Sequence, residues 1–277
     1  MSSIGVFDSG VGGLTVAREI IRQLPNENIV YFGDTARVPY GIKSPQTVIR
    51  FSIENILFLL KHDVKLICVA CNTASSFALP VIRNNFRVPI IGVITPGARE
   101  AVYASQNKRI GVIGTKGTIK SQTYETEIKQ LDPKVKVTAV ACPLFVPFVE
   151  EGWLSGEVVL SVARKYLKPL NDAGVDTVIL GCTHYPLLKP VIQEVLGKHV
   201  ILIDSAKQVA FEIKKILASE DLFNRSKVGR PACRTGRPAC RTGRHSFFVS
   251  DNPEWFSSLA QRFMGKKLKN VRKVDNV

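Results

Sequence analysis

The sequence lacks any stretch approaching the ~18 consecutive apolar residues of a membrane-crossing helix. Its opening, MSSIGVFDSG, has no basic leader ahead of a long apolar segment, so a soluble, cytoplasmic chain is expected. Cysteine is sparse, with six residues in 277, at positions 68, 71, 142, 182, 233 and 240. A chain of this length buries a core without covalent staples, so any special thiol should be catalytic or metal-binding rather than part of a disulfide framework. The four histidines (62, 184, 199, 245) show no paired spacing, which argues against a metal centre. Nucleotide fingerprints are missing too: GVGG at 10–13 lacks the GxGxxG spacing, and no Lys-Ser/Thr follows GVFDSG. No lysine context marks a pyridoxal phosphate Schiff base. Neither a metal nor a cofactor is expected.

Acidic residues are also in short supply, 23 against 38 Lys and Arg, a formal charge of +15. The excess is local. Thirteen of the basic residues fall after position 224, where only Asp251, Glu254 and Asp275 oppose them. They centre on GRPACRTGRPACRTGR, residues 229–244, in which GRPACRT occurs twice in tandem. Gly, Pro, Thr and Arg without apolar periodicity cannot build a core, so a flexible, solvated insertion at about 225–244 is expected. A nucleic-acid arm is the electrostatic alternative, disfavoured because no aromatic residues interleave the arginines.

What is present is an alternation of short β-branched runs with amphipathic stretches. The runs are IGVF, NIVYFG, KLICVA, PIIGV, RIGVIG, VKVTAVA, DTVILG and HVILI. Between the second and third lies SPQTVIRFSIENILFLLKH, a helix pattern with Ser44 as cap, Pro45 in the first turn, and Ile49, Ile53, Ile56, Leu57 and Leu60 on one face. Runs apolar on both faces and separated by helices predict an α/β fold of doubly wound, largely parallel sheets, with active loops at the C-terminal strand ends. The chain also repeats itself. IGVFDSGVGG at Ile4 resembles IGVIGTKGT at Ile110, 106 residues on, and VACNTAS with Cys71 resembles LGCTHYP with Cys182, 111 residues on. Two similar lobes should each bring one cysteine to an equivalent strand end.

Cys68 and Cys71 stand three apart, and along a strand such residues point to opposite faces, so they do not readily pair. Cys68 reads as a small core hydrophobe. Cys71 precedes Asn72, Thr73 and Ser75, any of which can cap a helix, and Cys182 precedes Thr183, His184 and Pro186. Helix-start N–H groups should lower both thiol pKa values. Two thiols on facing lobes fit one chemistry well: one group removes the proton from a carbon while the other delivers a proton to the opposite face. Each sulfur would then approach that carbon to about 3–3.5 Å, leaving the two on the order of 7 Å apart and unbonded. Asp8 and His184 are polar neighbours able to set the thiol states, though a turn aspartate and a structural histidine are the plainer readings.

Taken together, GVFDSGVGGLTV, FGDTARVPYG, VACNTAS, FVPFVEEG and LGCTHYPLL resemble the glutamate racemase family, from Ile4 to about Asp221. The resemblance implies cofactor-independent interconversion of L- and D-glutamate, supplying D-glutamate for peptidoglycan. It implies two α/β domains, residues 1–95 with 208–277 and residues 96–207, with the substrate between them. Cys71 and Cys182 would be the acid/base thiols, assisted by Asp8, His184 and Glu150, with Glu151 the alternative to Glu150. Ser9, Tyr40, Gly41, Asn72, Thr73, Thr115, Thr118 and Thr183, with Asp8 and His184, would hold the amino acid. The GRPACRT repeat departs from the family pattern, interrupting the approach to HSFFVSDNPEWFSSLAQRFMG, which should supply a strand and helix closing the first domain. A racemase of aspartate or another small amino acid is the alternative on the same scaffold. A small-molecule substrate is the expected partner, a membrane is not, and a homodimer is left open.

Overall fold

All eight apolar runs become strands in the computed structural model, which describes residues 2–224 and 243–275. The tandem GRPACRT repeat lies outside the described residues, as does the rest of the expected insertion at about 225–244 apart from Gly243 and Arg244. Strands β1 (Ser3–Asp8), β2 (Asn28–Gly33), β3 (Val64–Val69) and β4 (Ile90–Gly92) belong to one sheet. Strands β5 (Arg109–Gly114), β6 (Lys136–Ala141), β7 (Thr177–Gly181) and β8 (Ile201–Ile203) form another. Two further strands, β9 (His245–Val249) and β10 (Val271–Lys273), extend the first sheet, whose order is β10-β9-β2-β1-β3-β4. The second runs β6-β5-β7-β8, and every pairing in both sheets is parallel. The repeat therefore has a topological counterpart: β2-β1-β3-β4 and β6-β5-β7-β8 follow the same order.

Parallel strands need crossover helices, which cover both faces of the sheet and make continuous apolar strands favourable. All six residues of β1 are buried accordingly. Tyr31, Leu14 and Ile20 on one side of the first sheet share an apolar cluster with Val112, Ile113 and Leu180 of the second, joined through Val209, Ala210 and Ile213. Those last three lie on the helix Ser205–Ser219, which packs against the helix Leu14–Gln23. Phe7, Phe32, Phe58, Leu59 and Val69 fill the opposite face of the first sheet.

The helix Pro45–Leu60 starts as expected, with Ser44 Oγ accepting from Thr47 N at 3.3 Å. Its buried face differs from the predicted one, however. Val48, Phe51, Ser52, Asn55, Ile56 and Leu59 point inward, whereas Leu57 is 49 % exposed. Two polar residues belong to the inner face because both are bonded there: Ser52 Oγ donates to Val48 O at 2.8 Å and Asn55 Nδ2 to the Tyr40 hydroxyl at 3.1 Å. Among the described residues, no helix is long and apolar enough to cross a membrane.

Candidate active site

Strand β3 ends at Val69, and Cys71 follows as N-cap of the helix Asn72–Phe77, its Sγ accepting from Ala74 N at 3.5 Å. Strand β7 ends at Gly181, and Cys182 follows at the equivalent place. Both sulfurs are free and reach a single cleft of about 240 Å³, where Cys71 is 6 % and Cys182 7 % exposed. Strand-end loops of both sheets thus converge on one cavity, as the crevice rule for open parallel sheets anticipates.

Most of the sequence-derived residues meet there. Ser9, Tyr40, Gly41, Cys71, Asn72, Thr73, Thr115, Glu150, Cys182, Thr183 and His184 all line the cleft. Asp8 and Thr118 stand behind this wall. Thr118 Oγ1 lies 3.2 Å from Thr73 Oγ1 and 3.1 Å from Thr115 Oγ1, and the last two are 2.9 Å apart, so three hydroxyls link the two sheets' loops. Asp8, the last residue of β1, is fully buried. Its carboxylate accepts from Gly10 N at 2.9 Å and from Thr183 Oγ1 at 3.5 Å. Burial raises its pKa above the ordinary 3.8, opposed by the charge of His184 and by these donors.

The two thiols are held differently. Cys182 Sγ lies 3.8 Å from His184 Nδ1, and His184 Nε2 lies 2.9 Å from Glu150 Oε1. Burial acts to lower the histidine pKa, but the contacts with Cys182 and Glu150 override it and lift it to about 10. Those two contacts favour the protonated ring. Glu151 is exposed, so the carboxylate brought to the histidine is that of Glu150. For Cys71 the expected lowering is reversed. Burial, reinforced by the charge of Asp8, pushes it up to about 12, and the bonds from Ala74 N and Ser9 only partly offset this. A capping amide stabilises a thiolate by less than desolvation in a closed wall destabilises it.

Tyr40 is anchored from behind. Its hydroxyl donates to Asp34, which also takes Arg37 Nε at 2.7 Å, while burial and the Asp34 charge hold the phenol pKa well above its ordinary value. Asn72 is fixed by Tyr124, whose hydroxyl donates to Asn72 Oδ1 at 2.7 Å. Gly12 explains the GVGG stretch without a nucleotide. A Cβ there would stand 2.2 Å from Thr183 Oγ1 and 2.5 Å from His184 Nδ1, so a missing side chain lets the two halves close on each other.

The sequence profile of the Asp/Glu/hydantoin racemase family matches residues 4–211. The chain belongs to that family. Among curated relatives in this racemase family, the glutamate racemase of Geobacter metallireducens is 51 % identical over 272 residues, covering 98 % of this chain and 96 % of the relative. Among solved structures, glutamate racemase isoform RacE1 from Bacillus anthracis superposes with a TM-score of 0.91 at 41 % identity, over 99 % of this chain and 97 % of that one. The Francisella tularensis glutamate racemase, solved in complex with D-glutamate, gives 0.88 at 36 % identity, again over 99 % and 97 %.

Sequence reasoning missed part of this racemase-family cleft. Val38, Ile42, Pro143, Val146 and Pro147 supply an apolar wall, and Lys116 adds a cation. Val38, Val146, Pro147 and Lys116 lie within motifs already singled out (FGDTARVPYG, FVPFVEEG and GTKGT). A search for polar donors passes over such apolar residues; their position inside the motifs was the available signal.

Proposed function

We propose that the chain is a glutamate racemase that moves the Cα proton with two thiols, Cys71 on one face of the substrate and Cys182 on the other. The observation that carries this reading is the meeting of two free sulfurs, from equivalent strand ends, in one cleft lined with hydroxyls. Proton removal at Cα spreads negative charge onto the α-carboxylate, and donors already in place stabilise it without reorganising. Ser9, Thr73 and Thr115, with the amides opening the helix Asn72–Phe77, are those donors.

The upward shift of the Cys71 pKa suits this thiol to be the acid in one direction. Cys182 serves as the base. As its sulfur takes up the Cα proton, His184 and Glu150 adjust the local charge through their contacts, and the reverse direction exchanges the two roles. The family resemblance favours Cys71 for D-glutamate and Cys182 for L-glutamate. A cytoplasmic setting and a supply of D-glutamate for peptidoglycan belong to the same reading. So does division into domains 1–95 with 208–277 and 96–207; the helix Ser205–Ser219 runs across the second boundary and would be the bridge.

The test is incubation of L- and D-glutamate in deuterated water with the wild type, Cys71→Ala and Cys182→Ala. Wild type should interconvert the enantiomers and place deuterium at Cα from either one, while each variant should fail to interconvert them. Interconversion by either variant near the wild-type rate would defeat the two-thiol reading. Faster exchange of aspartate than of glutamate would move the substrate to the shorter acid.

A further inference from the structure

We infer that Arg262 and Phe263, adjacent residues near the end of the helix Pro253–Met264, are positioning residues that hold Glu150 and His184 in register with Cys182. The inference rests on the two-thiol reading above. Two nitrogen contacts, to Cys182 and Glu150, fix the in-plane direction of the His184 ring but leave its tilt free. Phe263 meets that ring edge to face, with centroids 5.3 Å apart and planes at 83°. This is a favoured aromatic geometry, and it restrains the tilt. Phe263 is itself fully buried, and its carbonyl accepts from Arg18 Nη1 at 2.9 Å, which ties it to the helix Leu14–Gln23.

Arg262 acts on the other member of the pair. Its Nη1 donates to the backbone carbonyl of Glu150 at 2.5 Å. Glu150 lies in the last turn of the helix Phe145–Glu151, where carbonyls lack partners within the helix and a cation is favoured. The residue that follows the helix, Gly152, has φ +81°, and a Cβ there would come within 2.7 Å of Arg262 Nη2. The helix end is thus shaped to admit the guanidinium. Neither Arg262 nor Phe263 lines the cleft, so both act through the residues they touch.

The test uses Arg262→Ala, which alters an exposed residue, together with Phe263→Leu and Arg262→Lys. Rates are read in both directions with protiated and α-deuterated L- and D-glutamate, beside thermal melting. We expect kcat to fall about tenfold in the first two variants, below the ~100-fold that a 1 Å misplacement can cost, with KM within about twofold. The primary isotope effect should rise for the enantiomer that Cys182 deprotonates and stay level for the other, and Arg262→Lys should recover most of the rate. Unchanged kcat in folded Arg262→Ala, or isotope effects rising equally for both enantiomers, would overturn the inference. A wild type unable to racemise glutamate would instead fail the proposed function.

Discussion

Cys71 and Cys182 follow corresponding strands of two sheets with the same strand order, yet their surroundings have diverged. Cys71 caps a true α-helix and sits near a buried carboxylate, Asp8. After Cys182 the chain enters a 3₁₀ turn, Tyr185–Leu188, with Pro186 in its first positions, and the imidazole two residues beyond the thiol folds back onto the sulfur. Duplicated topology places two like groups opposite each other. Divergence in the flanking residues then gives them different surroundings: a thiol near a buried carboxylate on one side, and on the other a sulfur facing an imidazole bonded to Glu150.

The sharpest way to break this contrast is to remove its two auxiliaries one at a time. His184→Gln and Asp8→Asn should each lower kcat by about 10²-fold, the low end of the range for a positioned acid or base. Each should raise the primary isotope effect for one enantiomer only, and for opposite enantiomers. Effects on the same enantiomer would show that the halves are not functionally distinct.

Next in size comes the seam between the halves. Gly12→Ala forces a Cβ against Thr183 and His184, and overpacking of this kind costs about 1–3 kcal/mol. Melting temperature and kcat should fall together, and KM should rise as the donors on both sides are pushed apart. A fully active, equally stable variant would mean that the seam does not set the cleft.

A smaller effect separates the halves by pH. The folded state lifts His184 from 6.5 to about 10, so its stabilising contribution is fully present below pH 6.5 and lost as pH rises through about 10. Urea unfolding across that window should show wild-type stability declining and His184→Gln declining less. Parallel slopes would refute the assignment.

The smallest effect is expected at the Arg-rich repeat. The described residues on either side of it are pinned together: Asn224 N donates to Glu27 Oε1 at 2.8 Å and Gly243 N to Pro25 O at 2.7 Å, beside the buried Lys65–Glu27 ion pair. For a flexible connection between fixed ends, closure entropy grows by only about 0.6 kcal/mol per doubling of length. Deleting residues 229–242 should leave racemisation and melting near wild type, and a large loss in either would give the repeat a role.

Much of this architecture is legible in the chain. Strands apolar on both faces announce themselves, and β1 to β8 coincide with the apolar runs. β10 does not, because Val271–Lys273 is short and its Arg and Lys are exposed at the sheet edge. Both thiols are legible as residues placed just after strand ends. Their protonation is not: helix-start reasoning foresees a lowered Cys71 pKa, and only the closed packing around it reveals that burial wins. The buried face of Pro45–Leu60 departs from its apolar pattern for a related reason. Asn55 and Ser52 earn their inner positions through partners distant in sequence or one turn back, which hydrophobic counting does not register.

Strand β9 and the helix Pro253–Met264 emerge from the ribosome after every other part of the site. Until they arrive, β2 lacks its outer neighbour, Ser250 cannot donate to Asp34 behind Tyr40, and the His184 ring has no aromatic edge against it. A nascent chain already carrying both sulfurs therefore has the cleft's lining residues but lacks the braces behind Asp34 and beside His184.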